Sequence, residues 1–77
     1  MDGATLNHIQ ACGRLYAQTE DVRHVTAAAI LAACAEPSER ATIRFYWEEG
    51  VRNYVDHMGH YYALMEDYDE TVKHLTR

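Results

Sequence analysis

Histidines and nearby carboxylates are the residues of this chain whose types and spacing come closest to a metal site. His57 and His60 are three residues apart, and Asp56 lies four residues before His60. Zinc and di-iron sites on helices need three or four convergent ligands, commonly in HExxH or paired ExxH motifs. Here the HxxH segment contains no glutamate, and the acid-x-x-His motif from Asp21 to His24 stands alone. We therefore predict surface histidines with no metal and no cofactor, and a histidine metal site on a helical bundle is the weaker alternative.

Cysteines and carboxylates do not indicate catalysis. Cys12 and Cys34 lie in apolar runs without CxxC or zinc-ligand spacing. Burial in such runs raises a thiol pKa and lowers its reactivity, so we expect reduced, inert thiols rather than a disulfide. The four acids within 66–70 fall mostly at outward helix positions, and the chain has no glycine-rich phosphate loop or GxSxG motif. These features predict a protein that is not an enzyme.

An aromatic run beside two arginines is the best candidate for a partner-binding site. Phe45, Tyr46 and Trp47 are consecutive, so on a helix their side chains point about 100° apart and cannot all face one core. Arg40 and Arg44 lie one turn apart beside them, and Trp, Tyr and Arg are enriched at interface hot spots. We predict that these five residues bind a partner protein. The alternative is that all three aromatics pack inside a dimer. The alternation of polar and apolar residues over 42–47 would also permit a short strand.

Three helices are predicted to carry these residues in one all-α domain, at about 4–18, 20–35 and 38–76. Pro37 is the single proline and ends the first half, because the residue before a proline avoids helical geometry. Ser38 is expected to cap the next helix. Thr19, followed by two acids, predicts a helix restart near residues 18–20, with one curved helix as the alternative.

A heptad pattern dominates the C-terminal half. Apolar residues recur every seven positions, with a second set three residues after each, as in a coiled-coil seam. The seam comprises Val51, Tyr54, Met58, Tyr61, Met65, Tyr68, Val72 and Leu75. Gly59 lies inside it and would permit a break, but we favour one continuous helix because the 3,4 spacing runs across the glycine. The sequence thus predicts a helical hairpin or small bundle with a long C-terminal helix.

Self-association is predicted from the apolar residues that one short chain must cover. Nine consecutive apolar residues at 27–35 leave no polar face, which favours a helix covered on all sides. Among 77 residues there are only thirteen Ile, Leu and Val, and such small cores seldom suffice alone. We therefore expect a homodimer to complete the bundle, with the heptad residues forming either a helix seam or the dimer interface. The tyrosines of the seam are expected in the core, and a surface kept for another protein is the alternative.

Charge and hydropathy disfavour nucleic acids and membranes as binding partners. Twelve acids against seven Lys and Arg give a net charge of −5, which disfavours nucleic acid as a direct partner. No run approaches a membrane span, and the N-terminus lacks a basic stretch followed by an apolar one, so we expect a cytoplasmic protein without a membrane partner. The leading hypothesis is a non-catalytic homodimeric module that binds and regulates or inhibits another protein. The alternative is an acidic mimic that occupies a basic nucleic-acid-binding groove, because residues 45–70 hold seven acids and one cation.

Overall fold

Four α-helices joined by short turns make up the structure, a computed structural model that describes residues 2–77. The helices are α1, Gly3–Thr19; α2, Val22–Cys34; α3, Arg40–Arg52; and α4, Met58–Leu75. The predicted all-α class is confirmed, since residues 2–77 contain no strand and 42–47 lie within α3. Helix α1 packs mainly against α3, α2 packs mainly against α4, and α1 also contacts α2.

The first half of the chain breaks close to the predicted restart, at residues 20–21. Glu20 adopts the left-handed conformation (φ 56°), and its N–H donates to the Tyr16 carbonyl to end α1. Asp21 then caps α2, because its Oδ1 accepts from the Arg23 N–H at 3.0 Å. Thr19, the predicted cap, instead accepts from the Asp21 N–H at 3.2 Å. The first half of the chain therefore forms two helices and not one curved helix, because the end of α1 and the start of α2 each have a local hydrogen-bond partner.

Pro37 marks the second turn as predicted, but the start of α3 differs from expectation. A single 3-10 turn, Pro37–Glu39, precedes α3, and the structure shows no side-chain cap from Ser38. Arg40 reaches back across the turn and donates from Nε to the Ala32 carbonyl at 3.3 Å. Its Nη2 donates to the Ala33 carbonyl at 3.4 Å. The arginine thus adds hydrogen bonds to two carbonyls at the end of α2, where the Ala32 carbonyl also accepts from the Ala35 N–H.

The predicted continuous helix at 38–76 is wrong, because residues 53–57 form a turn between α3 and α4. The Tyr54 and Val55 N–H groups donate to the Val51 carbonyl and close the end of α3. His57 caps α4 through Nδ1, which accepts from the His60 N–H at 3.2 Å. A straight 38-residue helix would measure about 57 Å, whereas the molecule extends 31 Å along its longest axis. The turn allows α4 to bury its apolar side against the same chain, mainly against α2.

The heptad seam therefore divides between the interior and the surface. The structure buries Val51, Met65 and Tyr68, leaves Tyr61 and Val72 partly buried, and exposes Tyr54, Met58 and Leu75. Leu64, which is not a member of the heptad seam, is also fully buried. The buried members pack in a core shared with the other helices of the same chain. Of the two roles predicted for the seam, helix seam or dimer interface, these buried residues take the first, within one chain.

Two glycines bring α1 and α3 into backbone contact. A Cβ atom added at Gly13 would lie 2.6 Å from the Trp47 carbonyl oxygen. A Cβ added at Gly50 would overlap the Gln10 carbonyl oxygen and come within 3.0 Å of the Arg14 nitrogen. Real Cβ atoms do not approach backbone atoms so closely, so the crossing requires glycine at both positions. This contact explains how a chain with few large aliphatic residues packs tightly.

Helix α2 is not covered on all sides as predicted. Val25, Ala28, Ala29 and Ala32 are buried against the rest of the chain. The opposite face is exposed, and it carries Val22, Thr26, Ile30 and Cys34. The alanines face inward because their small side chains permit close packing with α4 and α1. Within residues 2–77, neither α2 nor any other helix combines the length and apolar character needed to cross a bilayer.

Candidate protein-interaction surface

Trp47 cannot belong to the predicted partner-binding patch, because its side chain is completely buried. Its ring stacks on Tyr68 of α4 with 5.1 Å between centroids and lies 5.8 Å from Tyr16 of α1. Tyr16 in turn donates from its hydroxyl to Asp67 Oδ2 at 2.8 Å. The Trp47 Nε1 atom is buried without a hydrogen-bond partner among the described residues. Trp47 therefore joins three helices in the core, where it contacts no partner protein.

Both arginines of the predicted patch are engaged within the chain. Arg40 bonds to the end of α2 as described. Arg44 makes a two-pronged contact with Asp69, with Nε and Nη2 at 2.8 and 2.9 Å from the two carboxylate oxygens. This hydrogen-bonded contact raises the Arg44 pKa above its usual value. The arginines tie α3 to α2 and α4 instead of forming a free cationic edge.

Phe45 is the one member of the aromatic triplet with a largely exposed side chain. Tyr46 is partly buried and meets Phe45 edge to face, with 5.8 Å between ring centroids. The expectation that at least one of the three aromatics reaches the surface is confirmed. The predicted five-residue site is nevertheless not one surface, because its members point into the core, toward neighbouring helices and outward.

A different group of exposed apolar side chains lies where α3 turns into α4. Tyr54, Met58 and Tyr62 are 51%, 59% and 61% exposed. Met58 and Tyr62 are one helical turn apart on α4 and therefore neighbours. We call these three residues the corner surface. The sequence reasoning missed it because Tyr54 and Met58 fit the heptad, although Asn53, Asp56 and Gly59 are common turn residues.

Met58 of the corner surface also lines a groove of about 290 Å³, together with Arg52, Val55, Asp56, His57 and Tyr61. The Tyr62 ring meets the Tyr61 ring edge to face, with 5.2 Å between centroids. Interactions between α3 and α4 hold one wall of this groove. The Tyr61 hydroxyl donates to Glu48 Oε2 at 2.7 Å, and Arg52 Nη2 lies 3.2 Å from Glu48 Oε1. The Arg52 guanidinium also lies over the Tyr61 ring at 5.6 Å. Desolvation, followed by the Glu48 hydrogen bond, raises the Tyr61 pKa, so the phenol stays neutral and donating.

The histidines proposed as metal ligands have other partners. His57 caps α4, and His60 Nε2 lies 3.9 Å from Glu20 Oε1. Across residues 2–77 no three His, Cys, Asp or Glu side chains converge as a metal site would require. The structure thus offers no geometry that favours the histidine metal alternative.

One cysteine does lie beside a histidine, which the sequence reasoning did not expect. Cys12 Sγ is 3.7 Å from His8 Nε2, one helical turn earlier on α1. Cys12 is buried, and desolvation raises its thiol pKa above the usual value. A nucleophilic cysteine needs the opposite shift, because the thiolate is the reactive form. This pair therefore lacks the electrostatics of a catalytic dyad.

The acidic run of α4 is exposed but partly engaged. Glu66, Asp67, Asp69 and Glu70 all have exposed side chains. Asp67 accepts from Tyr16 and Asp69 pairs with Arg44, so these two carboxylates have fixed partners on α1 and α3. This engagement weakens the case for a nucleic-acid mimic, which needs a row of free charges.

Comparison of the chain with models of known protein families, with curated proteins and with solved structures found no match in any of the three.

Proposed function

We propose that this chain is a non-catalytic module that binds another protein through the corner surface, and that it regulates or inhibits that protein by binding. The observation that carries this proposal is the exposure of Tyr54, Met58 and Tyr62 beside an existing groove. Large apolar side chains at hot spots supply most of the energy of protein interfaces, and methionine adapts to partners of different shape.

The groove suggests the chemistry of the partner. Val55, Met58 and Tyr61 offer apolar walls for one inserted side chain. Arg52 is already engaged by Glu48, whereas Asp56 has no ion pair within residues 2–77. The unpaired charge at the groove is therefore negative. We propose a partner segment with an apolar anchor residue next to a lysine or arginine.

Binding experiments with matched surface variants test this function. Immobilised wild-type protein is used to capture partners from a lysate of the source organism, and the captured protein is then purified and titrated. The Met58→Ser, Tyr62→Ser pair should weaken binding by roughly 30-fold or more, since a hot-spot residue is worth about 2 kcal/mol. Phe45→Ser is the control, because Phe45 is equally exposed but lies outside the corner surface. Equal affinity of the corner variant and wild type would refute the proposed site.

Salt dependence separates this proposal from the acidic-mimic alternative. An interface anchored by apolar side chains should keep most of its affinity as salt is raised, because screening acts on charges. A charge mimic should lose affinity steeply over the same range and should compete with nucleic acid. The titration is repeated at low and high salt with the same purified partner.

We also propose that the module is a homodimer and that it is cytoplasmic. The exposed face of α2 supports self-association, since it presents apolar side chains without a covering element. Two free cysteines fit a reducing compartment. Light scattering coupled to size-exclusion chromatography tests the dimer, and a monomer at high micromolar concentration would contradict it.

A further inference from the structure

A second groove lies where α1 crosses α3, and its lining is polar and free of acids. It has a volume of about 300 Å³ and is lined by Asn7, Gln10, Ala11, Arg14, Gly50 and Asn53. The four lining residues from α1 follow one another at intervals of three, one and three positions, so they share one face of that helix. Asn53, the residue that ends α3, completes the polar lining. We call this the crossing groove.

Arg14 is the one cation that lines the crossing groove, and it is unpaired. Arg23, Arg44 and Arg52 each contact a carboxylate of the same chain. Within the part of the chain that the structure describes, the exposed Arg14 guanidinium has no ion pair and no hydrogen bond. Helix α1 contains no Asp or Glu, and Glu49 of α3 does not line the groove. The guanidinium is therefore available to an anion from another molecule.

Three carboxamides line the groove together with this guanidinium. The side chains of Asn7, Gln10 and Asn53 make no hydrogen bond to any other residue of 2–77. A carboxamide has one carbonyl acceptor and two N–H donors. A peptide group needs one donor and one acceptor, so a carboxamide can pair with it on both sides, whereas an inorganic anion offers mainly acceptors. The lining thus matches a peptide chain that carries an anionic group.

We propose that the crossing groove binds the carboxylate of an Asp or Glu side chain in an extended segment of a partner protein. A guanidinium holds both oxygens of a carboxylate through two parallel hydrogen bonds. Its single charge also balances a carboxylate, whereas a phosphate ester carries close to two negative charges and would stay partly uncompensated in a protein of net charge −5. The segment is extended because peptide groups inside a helix are already hydrogen-bonded to each other.

This site goes beyond the partner contact proposed at the corner surface. The crossing groove shares no lining residue with the groove next to Met58. The charge of the occupant also differs, since the corner groove is proposed to accept a segment with a lysine or arginine. The two sites therefore bind different segments, and each can be tested without the other.

An NMR titration with N-acetylglutamate methylamide tests the proposal without knowledge of the partner. This probe joins one carboxylate side chain to two peptide groups and has about fourteen non-hydrogen atoms. At the binding efficiency usual for small ligands, its dissociation constant should be about 1 mM. The side-chain amide signals of Asn7, Gln10 and Asn53 should shift along one saturating curve. N-acetylglutamine methylamide has the same shape without the charge and should bind roughly tenfold more weakly.

Matched variants locate the binding. Arg14→Gln should weaken the glutamate probe roughly tenfold, to the affinity of the glutamine probe, because it removes the charge. Arg77→Gln removes the same charge from an exposed residue that does not line the groove, and it should leave the affinity unchanged. Gln10→Ala with Asn53→Ala should weaken the glutamate probe but not acetate, since acetate contains no peptide group.

Each contrary result overturns a stated part of the proposal. Equal affinity of the glutamate and glutamine probes would overturn the carboxylate as the ligand. Equal losses in Arg14→Gln and Arg77→Gln would overturn the groove as the site. Inorganic phosphate that binds more tightly than the glutamate probe would overturn the acidic segment in favour of a phosphate ligand. The Met58→Ser, Tyr62→Ser variant should bind the glutamate probe as wild type does, so failure here leaves the corner surface untouched.

Discussion

Gly50→Ala should remove a large share of the stability of this protein, although alanine favours helices. The new methyl group would overlap the Gln10 carbonyl oxygen, with the Gln10 carbonyl carbon and the Arg14 nitrogen both at 3.0 Å. These are backbone atoms of α1, so no side-chain rotation relieves the contact. The two helices must separate, and the core around Trp47, which spans this crossing, must open with them.

The expected loss follows from two opposing terms. Overpacking a well-packed core costs about 1–3 kcal/mol, and a backbone clash belongs at the upper end. Alanine in place of glycine inside a helix returns about 1 kcal/mol. The net loss is about 2 kcal/mol, a large part of the roughly 3–5 kcal/mol expected for a domain of this size. The melting temperature should fall by roughly 8–16 °C.

Thermal and urea unfolding followed by circular dichroism measure this loss. Gly3→Ala is the matched control, because its Cβ would meet nothing within 4 Å, and its stability should change by less than about 0.5 kcal/mol. Gly13→Ala should also destabilise, since its Cβ would lie 2.6 Å from the Trp47 carbonyl oxygen. The double variant should lose less than the sum of the two, because one separation of the helices relieves both contacts. A Gly50→Ala protein that melts within about 3 °C of wild type would refute the close crossing.

Three further predictions concern the core and its surroundings. Trp47→Ala should lower the free energy of unfolding by about 3–5 kcal/mol, because the buried ring joins three helices. The variant should be largely unfolded by circular dichroism, and a cooperative melt near that of wild type would contradict this. Burial raises the Tyr68 pKa from 10.0 to about 12. The unfolded chain therefore loses this proton first, and the stability that this group contributes below pH 10 should fall by about 2 kcal/mol by pH 12. A free energy of unfolding in urea that is constant across this window would disprove it. Arg44→Gln should cost less than about 1 kcal/mol, because the ion pair with Asp69 is nearly half exposed, and a larger loss in urea unfolding would show that the pair is not solvent-screened.

The sequence predicted the positions of two turns well, because the signals for turns are local. Pro37 forces a turn, and the Thr19 to Asp21 segment contains the oxygen atoms that end one helix and cap the next. Such effects act within a few residues, so they are present in the sequence itself. At the first turn the predicted cap was two residues away from the observed one, and at the second turn the predicted Ser38 cap does not form.

The heptad pattern misled because its spacing does not require one continuous helix. Val51 and Met65 are both core residues, yet a turn separates the helices that carry them. Any helix that buries one side shows this spacing, so two short helices with matching phase look like one long helix. Whether the helix continues through residues 53–57 depends on what α4 can bury elsewhere, and that depends on the position of α2.

In the candidate site, too, the sequence determined one feature and the tertiary structure another. Three consecutive aromatics require that at least one reach the surface, which is a consequence of helical geometry alone. Their assignment to core or surface depends on which helix covers which side of α3, and α1 with α4 covers the side of Trp47. The corner surface was not predicted because it exists only where a turn replaces the expected helix.

The sequence by itself determined the helical class, the positions of two turns and the presence of more apolar side chains than a single helix face can bury. Only the tertiary structure decided that α3 and α4 are separate helices, that Trp47 is internal, and that the corner surface and one face of α2 are exposed. Turns and caps depend on contacts between near neighbours in the chain. Burial depends on contacts such as Gly50 with Gln10 and Trp47 with Tyr68, between residues far apart in sequence, and these form only when the helices pack together.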